Sequence, residues 1–374
     1  MLRDINERSV MIWISLLGGP NYLVYRSLLE EFGSLAGIYN AHLSSTRPES
    51  IRQFGKAYER FTDRETAAAA GNIYSNVVKS GMNIVTLEDD SFPYRLKNLP
   101  SACPLVLYFY GGFTEEDKSG EGRALAVVGS RHCSAAGESN AYSFSYSLAK
   151  LGVSIVSGMA RGCDGAAHRG ALKAGGRTIA VLACGADVVY PPEHKALYNE
   201  IIRKGGAIIS ESPPGTAPVK QLFPARNRII AGLSDGVLVV EAAKKSGALI
   251  TADKALEADR LVFALPGDVR NPMAYGVNEL IRQGAVCVTD VGVIVEELGL
   301  EPEGRNERKP GGGRAIGLPF PQNAVYNAVV QGCSDPDEIS VKTQLEVSDI
   351  CSALTLLEVR GLIRSSQAGK YIAS

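Results

Sequence analysis

From residue 125 to residue 264 the chain repeats one pattern: a short apolar run, a glycine-bearing turn, then a helical stretch. The runs fall at 125–128, 154–156, 178–182, 207–209, 237–240 and 261–264. Several of them are continuously apolar, so neither face can be left to water, and helices must cover both. Strands alternating with helices give a parallel, doubly wound sheet with right-handed crossovers. Two further β-type runs, 84–87 and 105–110, precede the repeat. Few other architectures accommodate such a chain.

The flanks differ in character. Residues 1–75 carry apolar side chains at helical spacing (Leu23, Leu28, Leu29 and Phe32 before Gly33) and read as a small helical domain. Residues 76–300 hold the α/β domain. Residues 301–317, with charge, Pro310 and three consecutive glycines, read as a flexible linker. Residues 318–374 read as three helices (325–330, 339–344, 350–360) and a hairpin (361–364, 370–373), which is the winged-helix order.

Charge and cysteine usage exclude several classes. Lys plus Arg number 39 against 40 Asp plus Glu, a net charge of −1, so the chain is no polybasic tail protein. A local basic patch is still enough for nucleic acid. The cysteines number 7, and no pair forms a CxxC, which disfavours a zinc ribbon and points to reduced thiols in a cytoplasm. The amino-terminus lacks the build of a signal peptide, and no apolar run approaches the length of a membrane span.

Glycine is in excess, at 40 of 374 residues, and it concentrates just after the strands. In open α/β sheets ligands bind there, at helix N-termini, where backbone N–H groups and the helix dipole favour anions. Four segments converge on such positions. Gly129-Ser130-Arg131 follows the first strand; a tight turn with a surface arginine would look the same. Ser157, Gly158, Arg161 and Gly162 precede a helix that Asp164 is placed to cap. His168 lies four residues on, but two ligands do not make a metal site, and a structural hydrogen bond is the simpler reading. Arg226-Asn227-Arg228 sits at a helix start, with Glu211 and Glu241 as the candidate acidic mates. Ser246 and Gly247 open the helix that carries Lys254.

Arginines and glycines recur at these strand ends, whereas a nucleophile–base pair does not. The pattern suits holding a polyanion rather than catalysis, so no catalytic residue, metal or cofactor is expected. Neither GxGxxG nor GxxxxGK[ST] occurs, which disfavours nucleotide binding by those routes.

The run SGMARGCDGAAHRGAL, then GRTIAVLACGADVVYPPEHKAL, GAIISESPPG, FPARNRIIAGLSDGVLVVEAAKKSGALITADKALEADRLVFALPGDV and GVNELIRQGA strongly resembles the DNA-processing protein A family, also called Smf. The resemblance implies an extended Rossmann core, with an amino-terminal unit resembling a sterile-alpha-motif domain and a winged-helix-like carboxy-terminal unit. It implies binding of single-stranded DNA without sequence preference, protection of that strand and loading of the RecA recombinase during natural transformation. It also implies a homodimer formed through the Rossmann domain. Cys163 departs from the aliphatic residue members often have there. In binding a strand, the glycines, serines and cations named in all four segments, together with Asn227, would contact phosphates, and Phe223 or Tyr190 would serve as base platforms or as core or rim packing.

Two other readings compete. A phosphoribohydrolase would also place nucleotide phosphate at glycine-rich strand ends, but its PGGxGTxxE is absent. A duplex-binding regulator would use the winged helix. Residues 318–374, however, hold four basic side chains (Lys342, Arg360, Arg364, Lys370) against six acidic ones (Asp335, Asp337, Glu338, Glu346, Asp349, Glu358), a net of −2. Such a unit suits protein contacts better than phosphates.

Overall fold

A computed structural model describes residues 6–99, 102–300, 321–343, 345–359, 362–365 and 370–373. Nine strands form one sheet: β1 Asn83–Thr86, β2 Val106–Gly111, β3 Ala124–Val128, β4 Ser154–Ser157, β5 Thr178–Val181, β6 Ala207–Ser210, β7 Gly236–Val239, β8 Leu261–Ala264 and β9 Val286–Cys287. Their order is β1-β2-β6-β5-β4-β3-β7-β8-β9. From β6 to β9 all pairings are parallel; β2 joins β6, and β1 joins β2, antiparallel.

The strand interiors explain the parallel core. Every residue of β3, β5, β6 and β7 is buried. Side chains of one face, including Val156, Ile179, Ile209 and Val239, join one hydrophobic cluster. Leu125, Ile155, Leu238 and Phe263 join the cluster on the other face, where the helices Ala135–Lys150 and Cys163–Lys173 pack together. Strand β9, two residues long, has too few side chains to give a periodic signal.

The topology creates one special place. From β3 the chain winds outward through β4, β5 and β6, then crosses back to place β7 on the other side of β3. The order reverses between β3 and β7, and the carboxyl ends of these strands diverge into a crevice.

The amino-terminal helices run Glu7–Leu16, Asn21–Phe32, Leu35–Leu43, Lys56–Arg60 and Arg64–Ser80, with a short 3-10 helix at Glu49–Phe54. Asn6, Ser34 and Asp63 cap three of them through side-chain oxygens that accept backbone N–H groups. The expected boundary at residue 75 lies inside the last helix, which ends at Gly81 in the left-handed region. Trp13, Tyr25 and Phe61 share a core with Leu105, Val106 and Tyr108 of the β2 region. Residues 1–300 accordingly form one unit.

Residues 301–374 form a second unit. It comprises helices Gln322–Val330, Pro336–Thr343 and Val347–Val359 and the antiparallel pair β10 Ile363–Ser365 and β11 Tyr371–Ala373. Val325, Ile339, Leu354, Leu357 and Ile363 fill its core. The linker at 301–317 lies outside the described residues. Among the described residues no helix is long and apolar enough to cross a membrane.

A candidate anion-binding crevice at the strand switch point

The crevice outside β3 and β7 is about 210 Å³ in volume, and its walls include Gly129, Arg131, Arg226, Asn227, Ser246 and Gly247. Three of the four sequence segments thus supply its lining, and Ala160 and Asp164 bring in the fourth. A smaller recess adjoins it, bounded by Arg131, Gly158, Arg161, Tyr190 and Phe223.

The floor is organised around Arg226. This side chain is buried, and its guanidinium donates to the carbonyls of Gly158 (2.8 Å) and Val181 and to Asn227 Oδ1 (3.2 Å). Asn227 in turn donates from Nδ2 to the Gly247 carbonyl at 3.3 Å, joining the floor to the next helix start. A Cβ on Gly158 would lie 2.6 Å from Arg226 Nη2, so this glycine is required by the arginine packed on it. Burial lowers the Arg226 pKa to about 10, against the pull of nearby Asp164, so the group stays charged at neutral pH.

Asp164 does not cap the helix Cys163–Lys173 from outside. It is the second helical residue, and Gly162 occupies the cap position at φ 68°. Its Oδ2 instead accepts the N–H groups of Gly158 (3.1 Å) and Ala160 (3.4 Å). Burial raises its pKa, opposed first by Arg226. The crevice therefore has an internal carboxylate as well as cations.

Arg131 is the exposed cation at the mouth. Its guanidinium lies 4.6 Å from the centroid of the Phe223 ring. No carboxylate pairs with it among the described residues. Phe223 also meets Tyr190 edge to face at 5.9 Å. The Gly129-Ser130-Arg131 turn is tightly seated: a Cβ on Gly129 would lie 2.5 Å from Cys163 Sγ, and one on Gly162 2.4 Å from the Ser130 carbonyl. Cys163 is fully buried there. Ser130 Oγ accepts the N–H of His132 at 3.1 Å.

Other sequence-selected side chains are committed elsewhere. Ser157 is buried and donates to the Val127 carbonyl at 2.7 Å. Arg228 is held by both carboxylate oxygens of Glu211 at 2.6 Å. Of the two acidic mates considered, Glu211 thus serves Arg228, and Asp164 is the carboxylate beside Arg226. Lys254 pairs with Glu257 on its own helix, and Ser246 caps that helix by accepting the Ala248 N–H. His168 makes a structural contact, Nδ1 to Thr178 Oγ1 at 2.7 Å. Among the described residues no group of three or more His, Cys, Asp or Glu is placed to hold a metal.

Sequence reasoning passed over Lys244 and Lys245. Both are exposed and directly precede Ser246. Their signal was legible, since two lysines before a helix N-terminus extend its positive field.

Residues 83–299 match the family described as DNA recombination-mediator protein A. Protein Smf of Synechocystis sp. is 35% identical over 316 residues, spanning 77% of this chain and 79% of that protein. The DNA processing protein DprA of Streptococcus pneumoniae is 45% identical over 210 residues, 56% of this chain and 72% of that protein. The X-ray structure of the S. pneumoniae protein superimposes with a TM-score of 0.63 at 32% identity, covering 77% of this chain and 97% of that one. A structure of DNA processing protein A from Helicobacter pylori, described for its single-stranded DNA binding mode, gives 0.50 at 30% identity, covering 58% and 95%.

Proposed function

The chain belongs to the DNA recombination-mediator protein A family, and from that premise we propose that its crevice binds single-stranded DNA through the phosphates. The observation that carries this reading is Arg131: an exposed guanidinium with no carboxylate partner among the described residues, spread over Phe223, above the buried cation Arg226. An ion and an aromatic ring side by side suit a backbone phosphate with its neighbouring base. Exposed Lys220, Lys244 and Lys245 lie close by in sequence and add to the field. Gly129, Asn227, Ser246 and Gly247 supply short side chains or bare backbone where a strand must approach closely.

Contacts to phosphate carry no sequence information, so binding is indifferent to sequence and weakens as salt rises. The family description as a recombination mediator supports delivery of the bound strand to a recombinase, RecA, in the recombination of imported DNA. The resemblance supports a homodimer through the α/β unit, and strongly exposed Val269 (89%) and half-exposed Tyr275 offer apolar surface for it. The acidic second unit, read as winged-helix-like, suits a protein partner better than duplex DNA.

The test is binding of short fluorescent single strands of two unrelated sequences to wild type and Arg131→Ala across a salt series. Equal affinity for both sequences, loss with salt and weakening by Arg131→Ala are expected. Absence of binding by wild type at low salt overturns the reading. Co-elution with RecA on size exclusion tests the partner.

A further inference from the structure

The recess beside the crevice has an outer cation, Arg161, that already carries a partner. Its Nε donates to the Glu193 carboxylate. Both side chains are about half exposed, 53% and 48%, so the pair stands where a strand entering the recess would meet it. Surface ion pairs are usually loose, since two long side chains must be held in one geometry. This one is held from below. Glu193 sits in the single turn Pro192–His194. His194 Nδ1 donates to the Met159 carbonyl at 3.0 Å, two residues before Arg161. The His194 ring fills the space above Gly165, where a Cβ would come within 2.7 Å of it. Met159 is buried at φ 59°, in the left-handed region, so the loop that carries Arg161 is itself firmly set. The two loops are thereby clamped together with Glu193 facing Arg161. Arg131, across the same recess, has no such carboxylate among the described residues.

We propose that Glu193 is a built-in counter-ion that a phosphate must displace from Arg161, and that it sets both the affinity and the salt response of the recess. The proposal rests on the reading that a DNA strand occupies this crevice. When phosphate takes the Arg161 guanidinium, Glu193 is left facing solvent and gathers a cation. The counterion released by the strand at that contact is then balanced by the one Glu193 takes up, and the contact adds almost nothing to the salt dependence. Without the carboxylate, the same contact releases its counterion in full.

The experiment uses the full chain and a short fluorescent oligothymidylate over a salt series. It compares wild type, Glu193→Gln, Arg161→Gln, the double variant and Glu200→Gln. The last removes a comparably exposed carboxylate, paired with Lys204 at 3.2 Å on another helix, and controls for net charge. Glu193→Gln is expected to bind about two- to fivefold tighter, the scale of an exposed ion pair. Its salt slope should steepen by about 0.7, the release expected for one phosphate of a single strand. In the Arg161→Gln background the same substitution should change neither quantity, and Glu200→Gln should resemble wild type. Unchanged affinity and slope in Glu193→Gln overturn the proposal while leaving the DNA-binding reading standing. So does a gain that persists without Arg161. Failure of wild type to bind at low salt removes both. Matching thermal midpoints of wild type and Glu193→Gln exclude a folding effect.

Discussion

Glu241, just past the end of β7, turns its carboxylate onto Ser134, the residue that caps the helix Ala135–Lys150. Ser134 donates both its backbone N–H, at 2.8 Å, and its hydroxyl, at 2.5 Å. The Glu241 carbonyl also accepts the N–H of Ser130 at 2.8 Å. One residue therefore anchors both sides of Arg131, and Gly137 makes room for it, since a Cβ there would lie 2.4 Å from the carboxylate. Glu241→Gln would turn an amide donor toward one of the two Ser134 donors. A stability loss of about 1–3 kcal/mol is expected for such a buried mismatch, together with weaker DNA binding, although Glu241 itself meets no strand. Thermal melts and binding of the fluorescent strand check this; unchanged values in both would show that the turn holds itself.

Arg131 and Arg228 were both candidate phosphate contacts in the sequence, and the structure separates them. Arg131→Ala should weaken strand binding about tenfold, as for a lost charge-assisted hydrogen bond, and flatten the salt slope by about 0.7. Arg228→Ala leaves Glu211 without its partner in a largely buried position. It should reduce stability by roughly 1–2 kcal/mol and change affinity less than twofold. A loss of affinity in Arg228→Ala matching that in Arg131→Ala would show that Arg228 exchanges Glu211 for phosphate.

This contrast marks where the sequence was legible. Strands buried on both faces advertise themselves as apolar runs, and glycines after them mark the strand ends, so β3 to β8 and the switch-point crevice were readable. What counters each charge was readable only in part. Glu211 was one of two mates considered for Arg226 and Arg228, and it holds Arg228; Glu193 is 32 residues from Arg161, a separation that only the folded sheet closes. The same holds for Ser157, whose hydroxyl is spent on Val127 of the neighbouring strand. The expected boundary at residue 75 lies mid-helix because Arg64–Ser80 runs through Gly71 with an ordinary helical backbone and stops only at Gly81, in the left-handed region.

His168 predicts a pH response. Thr178 donates its hydroxyl proton to the Ile155 carbonyl at 2.7 Å, so its oxygen accepts from His168 Nδ1–H, and the ring is neutral. Burial, reinforced by neighbouring positive groups, lowers its pKa from 6.5 to about 3. Between these values the unfolded chain takes up a proton that the folded chain refuses. The stability is complete above pH 6.5 and is lost as pH falls toward 3, by an amount on the order of a few kcal/mol. Asp164, with its raised carboxyl, works in the opposite sense at the acid end. The difference between wild type and His168→Asn, which keeps a donor for Thr178 but cannot titrate, isolates the histidine. Its thermal midpoint should fall less steeply from pH 6.5 to 4; parallel curves would mean that His168 is protonated in the folded state after all.

Two glycines of the candidate site should answer alanine in opposite ways. Gly158 lies under the Arg226 guanidinium, where an added Cβ would meet three of its atoms within 2.7 Å. The arginine is fixed by two carbonyls and cannot withdraw, so Gly158→Ala should reduce stability by about 1–3 kcal/mol, the cost of overpacking, and weaken binding by moving Arg226. Gly247 begins the helix after β7, with nothing within 4 Å of its would-be Cβ and an ordinary φ. Alanine fits that backbone and loses less freedom on folding, so Gly247→Ala should be neutral or stabilising by up to about 1 kcal/mol. Gly247 also lines the crevice, so a strand lying against that helix start would meet the new methyl. A variant that folds as well as wild type yet binds the strand several-fold more weakly would therefore report ligand contact at Gly247. Undiminished binding would move the strand toward Arg131 and Phe223, away from the Gly247 helix.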